Sequence, residues 1–241
     1  MKRILVTGAT SGIGRAMAVT LHRAGHRVLA IGRNRAALSA LTVEAEGIET
    51  LALDLVEAEE VAAALSGRAF DVLVNNAGTI PRPRPFDAME RAEIDRTVLV
   101  NLQSVLWLTR LVVPGMRAQG SGHVIFTGSS AGHAPGANFA VYAATKAAVA
   151  AFAAALRAEL SADGIRVTEI APGRVETALY ADVLDEAERQ AMYRGSASLQ
   201  PEDVAEALLA VLNLPARADV TRLDIMPTRP VPAIKLDTRV S

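Results

Sequence analysis

Two side chains with complementary acid–base chemistry, those of Tyr142 and Lys146, lie four positions apart in the chain. Residues four apart share one face of a helix, so the two groups meet if this segment is helical. A tyrosine hydroxyl has an ordinary pKa of about 10 and is a poor acid or base at neutral pH. A neighbouring ammonium lowers that pKa, so the pair can exchange a proton with an alcohol or carbonyl oxygen. Ser129, thirteen residues before Tyr142, can hydrogen-bond the same oxygen.

A glycine-rich segment at residues 7–14 follows the first apolar run and precedes a helix-length segment. Gly8 permits a tight turn, Gly12 lets the backbone approach a phosphate, and Gly14 lets a helix pack closely on a strand. The amino terminus of the helix then offers N–H groups and a partial positive charge to a pyrophosphate. Three residues separate Gly8 from Gly12, unlike the common dinucleotide fingerprint, and no lysine follows Gly14, which excludes a P-loop.

The second apolar run is followed by Arg33, with Arg35 nearby. A cofactor with a free ribose 2′-hydroxyl usually meets an acidic residue here, and this chain has none at that edge. A guanidinium instead binds a 2′-phosphate through charge-assisted hydrogen bonds, to which Ser11 can add its hydroxyl. These residues favour NADP over NAD. The alternative is that Arg33 is a solvated residue at the start of a helix.

The elements that must position these residues are short apolar runs alternating with helix-length segments. The runs are residues 4–7, 27–31, 50–53, 72–74, 123–127, 166–170 and 222–225. The helix-length segments are residues 13–23, 35–44, 57–65, 88–117, 138–160 and 201–212. This alternation predicts βαβ units and an α/β fold in a single domain of residues 1–241, with a parallel sheet covered on both faces. Ligands of such sheets bind beyond the carboxyl ends of the strands, where the motifs above lie.

The chain resembles the short-chain dehydrogenase/reductase family over about residues 1–227. The positions that carry the resemblance are residues 7–14, Asp54, residues 75–78, Asn101, Ser129, Tyr142, Lys146, Pro172, Gly173 and Thr177. Within the family, residues 25–34, 141–149 and 166–179 are most similar to NADP-dependent 3-hydroxy acid (serine-type) dehydrogenases. The resemblance implies a Rossmann-like, doubly wound sheet of seven parallel strands.

The resemblance also implies four catalytic roles. Tyr142 is the general acid/base, and Lys146 lowers its pKa and binds the nicotinamide ribose. Ser129 orients the substrate oxygen, with Ser130 as the alternative. Asn101, in a long helix, supports Lys146 through a water, although its surroundings fit the family pattern more loosely because relatives commonly have a small residue soon after this asparagine.

A cofactor site and no metal site follow from the same resemblance. The phosphates are held by Gly8, Ser11, Ile13 and Gly14. The adenine meets Asp54 and Leu55, and the adenosine ribose is lined by Asn76, Ala77 and Gly78. The nicotinamide carboxamide is contacted by Pro172, Gly173, Val175 and Thr177. The cofactor-binding set is completed by Thr10, Gly12, Arg33, Asn34, Tyr142 and Lys146.

Residues 178–199 correspond to a mobile substrate lid in the family, or alternatively form a plain amphipathic connector, and residues 227–241 form a tail. The candidates to bind a substrate carboxylate are Arg82, Arg84, Arg174 and Arg194, and each also fits a solvated arginine. His133 either touches substrate or lies on a surface loop. Small apolar faces around Trp107 and residues 147–152 predict a homotetramer, or a homodimer, unless both faces are buried within one subunit.

The composition excludes several function classes. The chain has 241 residues and no cysteine, which rules out a disulfide scaffold, a zinc–thiolate site and a cysteine nucleophile, and makes a cytoplasmic location the default. Its 25 basic and 26 acidic residues nearly cancel and only 4% of residues are aromatic, so nucleic acid and anionic membranes are not expected partners. No run reaches the ~20 apolar residues of a membrane span.

Together, these features predict an NADP-dependent oxidoreductase that acts on a secondary alcohol or its carbonyl, with a 3-hydroxy acid as the favoured small-molecule substrate. One alternative is a 3-oxoacyl reductase, which needs a basic surface for an acidic carrier that the balanced charge does not supply. The other is a non-catalytic dinucleotide sensor. Such sensors usually lose the tyrosine or the lysine, and this chain keeps Tyr142 and Lys146.

Overall fold

The computed structural model describes residues 1–181, 183–193 and 198–229. The strands are β1 (Arg3–Thr7), β2 (Arg27–Gly32), β3 (Glu49–Ala52), β4 (Val72–Asn75), β5 (Gly122–Thr127), β6 (Ile165–Pro172) and β7 (Arg222–Ile225). The helices are α1 (Gly12–Arg23), α2 (Arg35–Glu44), α3 (Ala58–Leu65), α4 (Arg91–Val98), α5 (Ser104–Gln119), α6 (Ser130–His133), α7 (Ala140–Leu160), α8 (Glu186–Tyr193) and α9 (Pro201–Leu212).

The seven strands form one sheet in the order β3-β2-β1-β4-β5-β6-β7, and every neighbouring pair is parallel. Ile4 of β1 is paired with Val28 of β2 on one side and with Val72 of β4 on the other. The chain therefore adds β2 and β3 on one side of β1, and then crosses over to add β4 to β7 on the other side. The predicted doubly wound, single-domain fold is therefore confirmed, and the crevice expected at its switch point lies beyond the carboxyl ends of β1 and β4.

Successive residues of the strands fill two hydrophobic cores, one on each face of the sheet. Ile4 and Val6 belong to the core that includes residues of α1 and α9, whereas Leu5 belongs to the core that includes residues of α5 and α7. This division follows from the period of two along a strand. Burial of each such side chain stabilises the fold by about 1.5–3 kcal/mol, so the strand ends that carry the motifs are held rigidly.

The helix predicted at residues 88–117 spans Arg91–Gln119 in the structure and contains one irregular turn. A capping box between Glu90 and Glu93 begins α4, and a π-helical turn, Leu99–Gln103, separates it from α5. A π-helical turn has hydrogen bonds between residues five apart instead of four, and such turns often occur at functional sites. The prediction that Asn101 lies in a long helix is confirmed, and the structure adds that Asn101 occupies the π turn within that helix.

Three shorter differences have local causes. The helix predicted to begin at residue 138 begins at Ala140, because Asn138 has a φ of 66° and cannot join a right-handed helix. The sequence pattern does not reveal α6, which Ser129 caps through Ala131, because this helix spans only four residues. Nor does it reveal α8, whose first turn is closed by hydrogen bonds between Asp185 and Glu188.

Two helical stretches among the described residues, Arg91–Gln119 and Ala140–Asp163, are long and apolar enough to span a membrane, each with a mean hydropathy of 1.3. Of the apolar window in each, 39% is buried inside the structure. The core helices of soluble proteins meet the same criterion, and both stretches contribute residues to the core around β4 and β5. This is weak evidence for a membrane span, and the expectation of no membrane partner stays a prediction.

Candidate active site

A cleft of about 760 Å³ opens at the carboxyl ends of the strands, where the sheet order reverses. It is lined by almost every residue that the sequence analysis assigned to the cofactor or to catalysis; the three exceptions are Gly14, Asn34 and Asn101. Gly14 packs against the Gly8 carbonyl, and Asn34 caps α2 by accepting a hydrogen bond from the Ala37 N–H. These residues support the walls of the cleft rather than form its surface.

The glycine loop has the conformation that a phosphate site needs. Gly8 and Gly12 have φ values of 68° and 51°, which other residues rarely adopt. A Cβ at Gly8 would lie 2.8 Å from the Ala77 Cα, so the loop packs directly on the segment that follows β4. Ser11 precedes α1 without capping it through its side chain, and the first turn of α1 contains no acidic residue. The helix terminus therefore keeps its partial positive charge facing the cleft.

Thr7, which the sequence analysis left unassigned, joins the loops after β1 and β4. Its hydroxyl accepts hydrogen bonds from the Asn76 and Ala77 N–H groups at 2.9 and 3.1 Å. The Asn76 amide donates to the Thr7 carbonyl at 3.0 Å. The side chains of Thr7 and Asn76 thus fix the position of the glycine loop relative to the neighbouring turn.

The edge beyond β2 is more basic than the sequence indicated, and it also holds an acid. Asp54, from the loop after β3, lies 3.7 Å from an Arg33 nitrogen and 3.3 Å from an Arg96 nitrogen. Arg96 reaches this edge from α4 and lines the cleft. No motif marked Arg96, because only the fold brings α4 beside the loops that follow β2 and β3. The Arg33 side chain is 67% exposed, so it is accessible to a bound ligand.

The three proposed catalytic side chains meet on the opposite wall. Ser129 and Tyr142 both line this part of the cleft, and the Lys146 Nζ lies 5.8 Å from the centre of the Tyr142 ring. Lys146 is only 7% exposed and donates a hydrogen bond of 2.8 Å to the Thr127 carbonyl. Ser129 caps α6 by accepting from the Ala131 N–H at 3.1 Å. The end of β5 therefore fixes the serine and the lysine together.

Burial dominates the electrostatics of the pair. It raises the pKa of Tyr142, and the hydrogen bond from Ser129 opposes that rise. Burial lowers the pKa of Lys146 to about 8, and the negative charge of Glu169 opposes that fall. From the sequence, we expect Lys146 to lower the pKa of Tyr142. In the structure, the Lys146 ammonium donates its hydrogen bond to the Thr127 carbonyl.

Asn101 is buried and anchors the turn after β4. Its side-chain oxygen accepts from the Thr79 N–H at 2.7 Å, and its amide donates to the Thr79 carbonyl at 2.8 Å and to the Thr145 hydroxyl at 3.3 Å. Asn101 and Lys146 both approach Gly78, where a Cβ would lie 3.4 Å and 3.8 Å from them. The expected support of Lys146 through a water stays a prediction.

A buried carboxylate, that of Glu169, lies next to the catalytic residues, and no sequence motif identified it as part of the site. Glu169 of β6 is 4% exposed and packs against Gly128, which leaves no room for a Cβ there. Its Oε1 lies 2.9 Å from the His133 Nε2, and Arg222 Nη1 lies 3.3 Å from the His133 Nδ1. An arginine can only donate, so Nδ1 accepts and Nε2 donates its proton to Glu169. His133 is therefore part of this chain of hydrogen bonds.

The four arginines considered for a substrate carboxylate have different surroundings. Arg82 pairs with Glu188 at 2.7 Å and Arg84 pairs with Glu93 at 3.1 Å. Arg174 lines the cleft, and Arg194 lies outside the described residues. Within the described ranges, no cluster of three or more histidine and acidic residues could hold a metal ion.

Comparison with known proteins places this geometry in a family. The model of the short chain dehydrogenase family matches residues 2–188. An uncharacterized short-chain type dehydrogenase/reductase of Sinorhizobium fredii is 48% identical over 93% of this chain and 90% of that protein. The NADP-dependent 3-hydroxy acid dehydrogenase of Salmonella typhi is 37% identical over 93% of this chain and 94% of that protein.

Solved structures of short-chain dehydrogenases have the same fold as this chain. The closed form of serine dehydrogenase complexed with NADP+ superposes with a TM-score of 0.90 at 34% identity, covering 98% of this chain and 100% of that one. The 3-ketoacyl-(acyl-carrier-protein) reductase from Brucella melitensis complexed with NADH has a TM-score of 0.84 at 31% identity, covering 95% and 98%. With the family model, the relatives and the fold in agreement, the chain belongs to the short-chain dehydrogenase family of oxidoreductases.

Proposed function

We propose that this chain is an NADP-dependent oxidoreductase that interconverts a secondary alcohol and its carbonyl compound, with a 3-hydroxy acid or a related small hydroxy compound as substrate. The observation that carries the proposal is one cleft that combines a phosphate-binding loop, a basic edge and the group of Ser129, Tyr142 and Lys146. The names of the Salmonella dehydrogenase and of the serine dehydrogenase support both the cofactor and the substrate class.

The cleft fits a dinucleotide phosphate. The loop at Gly8 and Gly12 and the amino terminus of α1 would hold the pyrophosphate. At the basic edge, Arg33 and Arg96 would hold a 2′-phosphate through charge-assisted hydrogen bonds. At the other end the cleft is lined by Pro172, Gly173, Val175 and Thr177. The family resemblance assigns these residues to the nicotinamide, and Ser129, Tyr142 and Lys146 line the same cleft.

The protein's own chemical task is the transfer of one proton. When bound, NADP(H) supplies or accepts the hydride, that is, the hydrogen and the electron pair of the C–H bond. In the reducing direction, Tyr142 donates its hydroxyl proton to the carbonyl oxygen as that oxygen gains charge, and Ser129 hydrogen-bonds the same oxygen. Tyr142 then regains its proton from solvent, and we propose that Lys146 passes it on, because a group with a pKa of about 8 both releases and takes up a proton near neutral pH.

Assembly and location belong to this proposal. Trp107 and Leu111 on the outer face of α5 are 36% and 39% exposed, which is consistent with the homotetramer, or homodimer, expected from the sequence. Light scattering after size-exclusion chromatography measures the subunit number. A cytoplasmic location follows from the lack of cysteine in the sequence, and we propose it on that ground.

A 3-oxoacyl reductase is the second candidate, since the Brucella reductase shares the fold and covers nearly the whole chain. The two functions differ in the size of the substrate. The decisive experiment mixes purified protein with NADPH and a panel of 3-oxo acids, aldehydes, ketones and carrier-bound 3-oxoacyl chains, and follows the loss of NADPH absorbance. Oxidation with small 3-oxo acids supports the proposal. Tight NADPH binding without oxidation by any compound would instead indicate a sensor.

We predict that Arg33→Ser combined with Arg96→Ser removes most of the preference for NADPH over NADH. Each guanidinium hydrogen bond to a charged group contributes about 1.5–3 kcal/mol. Because the Arg33 and Arg96 side chains are 67% and 41% exposed, solvent weakens both bonds, so we take the low end of their sum, about 3 kcal/mol. The ratio of kcat/KM values should therefore fall by about 10²-fold. Steady-state kinetics with both cofactors measure this ratio. Arg91→Ser on α4 is the matched control, because Arg91 is 93% exposed and pairs only with Asp95 among the described contacts. An unchanged ratio in the double variant would contradict the assignment of the basic edge.

We predict that Glu169→Gln moves the alkaline limb of the pH profile of kcat/KM to lower pH. The Glu169 charge opposes the lowering of the Lys146 pKa by burial, so its removal lowers that pKa further, below about 8. The lysine then loses its proton at a lower pH. Glutamine still accepts the hydrogen bond from His133, which keeps the packing. Glu159→Gln, an exposed change on α7, the helix that carries Lys146, should leave the pH profile unchanged.

A further inference from the structure

The charged side chains that line the cleft are unevenly distributed along it. In the part of the chain that the structure describes, its charged lining residues are Arg33, Asp54, Arg96, Lys146, Arg174 and Arg229. The acid among them, Asp54, lies beyond β2 and β3, where it pairs with Arg33 and Arg96. Toward the lid, the charged lining is therefore entirely cationic. A cleft of this kind attracts anions and disfavours cations.

Arg174 is held in place by its surroundings. Its carbonyl accepts a hydrogen bond of 3.0 Å from the Leu199 N–H, next to a bridge between Val175 and Leu199. Its Nη1 donates to the Met192 carbonyl of α8 at 3.2 Å. The guanidinium is thus fixed between the end of β6 and the helix of the lid segment. Such a fixed fork loses little conformational entropy when it binds an acid.

Tyr180 lines the same cleft as Arg174 and Tyr142, and it is close enough to both for their charges to affect its pKa. Burial raises the pKa of Tyr180, Tyr142 raises it further, and Arg174 opposes the rise. Burial lowers the pKa of Arg174, and Tyr180 opposes that change. Tyr180 therefore keeps its proton and is a hydrogen-bond donor, and partial burial strengthens any ion pair that Arg174 makes.

We infer that Arg174 and Tyr180 bind the anionic group of the substrate, so that the natural substrate is a small acid whose carbonyl or alcohol oxygen lies at Tyr142. The inference rests on the proposed function and makes its substrate class specific. It assigns the selectivity for acids to Arg174 in place of Arg82 and Arg84, which are already paired with Glu188 and Glu93. Carboxylates and sulfonates share the required chemistry, and matched compounds with one carbon skeleton distinguish them.

The test compares a 3-hydroxy acid with its uncharged methyl ester in wild-type enzyme and in Arg174→Gln. We expect kcat/KM for the acid to fall by about 10²-fold, as for the loss of a charge-assisted pair, and the value for the ester to change by less than about threefold. Arg174→Lys should restore part of the acid activity, since it keeps the charge but loses the fork. Arg189→Gln, on α8 and paired with Glu186, is the control.

Equal losses on acid and ester, or no loss on either, would overturn the inference. Failure of wild-type protein to turn over either compound would instead overturn the proposed function. In that case, calorimetry of the acid with the protein, with and without NADP+, still decides the matter. Binding that is lost in Arg174→Gln supports the anion site, and equal binding, or no binding to either protein, refutes it.

Discussion

Tyr142→Phe should lower kcat by about 10²–10⁴-fold, the usual contribution of a positioned general acid or base. Phenylalanine keeps the ring, so the packing around Lys146 survives and only the proton that is exchanged with the substrate oxygen is lost. NADPH affinity should change little, because the loop at Gly8 and the edge at Arg33 are remote from the lost hydroxyl. Fluorescence titration with NADPH and single-turnover kinetics separate these two quantities.

Tyr193→Phe is the control for the loss of a phenol hydroxyl. Tyr193 donates to the Val175 carbonyl at 3.3 Å, accepts from the Thr177 N–H at 3.5 Å and does not line the cleft. Its kcat should therefore stay within about tenfold of wild type, as expected of two long, neutral hydrogen bonds. Retention of activity by Tyr142→Phe would refute the acid–base assignment, and would move attention to Ser129. Loss of NADPH binding in the same variant would indicate that the hydroxyl acts through structure.

The sheet was predictable because its pattern is local. Short runs buried on both faces, separated by helix-length segments, specify parallel strands, and the carboxyl ends of those strands must share one edge. That rule placed Gly8, Arg33 and Ser129, which follow strands, at one edge of the sheet, and the family resemblance added Asn76 and Lys146. The structure has all five around one cleft. What these positions share is that each belongs to a motif or to the end of a strand.

The residues that escaped prediction depend on contacts between distant segments. Arg96 reaches the cofactor edge only because α4 lies beside the loop that carries Asp54. Glu169 looks like an ordinary polar residue in a strand, and its role follows from packing under Gly128 and from its bond to His133. The π turn at Asn101 likewise has no simple period in the sequence. Sequence patterns encode local geometry well, but not which side chains meet across the fold.

The second large effect is expected from Gly14→Ala, although the change adds a single methyl group. A Cβ at this position would lie 2.4 Å from both the Gly8 carbonyl oxygen and the Asn76 amide nitrogen, closer than any real contact allows. Relief of the clash must move α1 away from the glycine loop and disturb the bond from Asn76 to Thr7. Overpacking of this kind costs about 1–3 kcal/mol.

That free-energy cost should lower the midpoint of thermal unfolding. If most of the cost arises when the glycine loop binds the cofactor, the Kd for NADPH should also rise by about 10-fold to 10²-fold. Gly115→Ala is the matched control, because Gly115 also lies in a helix, α5, and a Cβ there meets no atom within 4 Å. Its helix should gain up to about 1 kcal/mol from the better propensity of alanine. If Gly14→Ala bound NADPH as tightly as wild type while Gly115→Ala was also unaffected, the close packing of α1 on the glycine loop would not be what shapes the phosphate site.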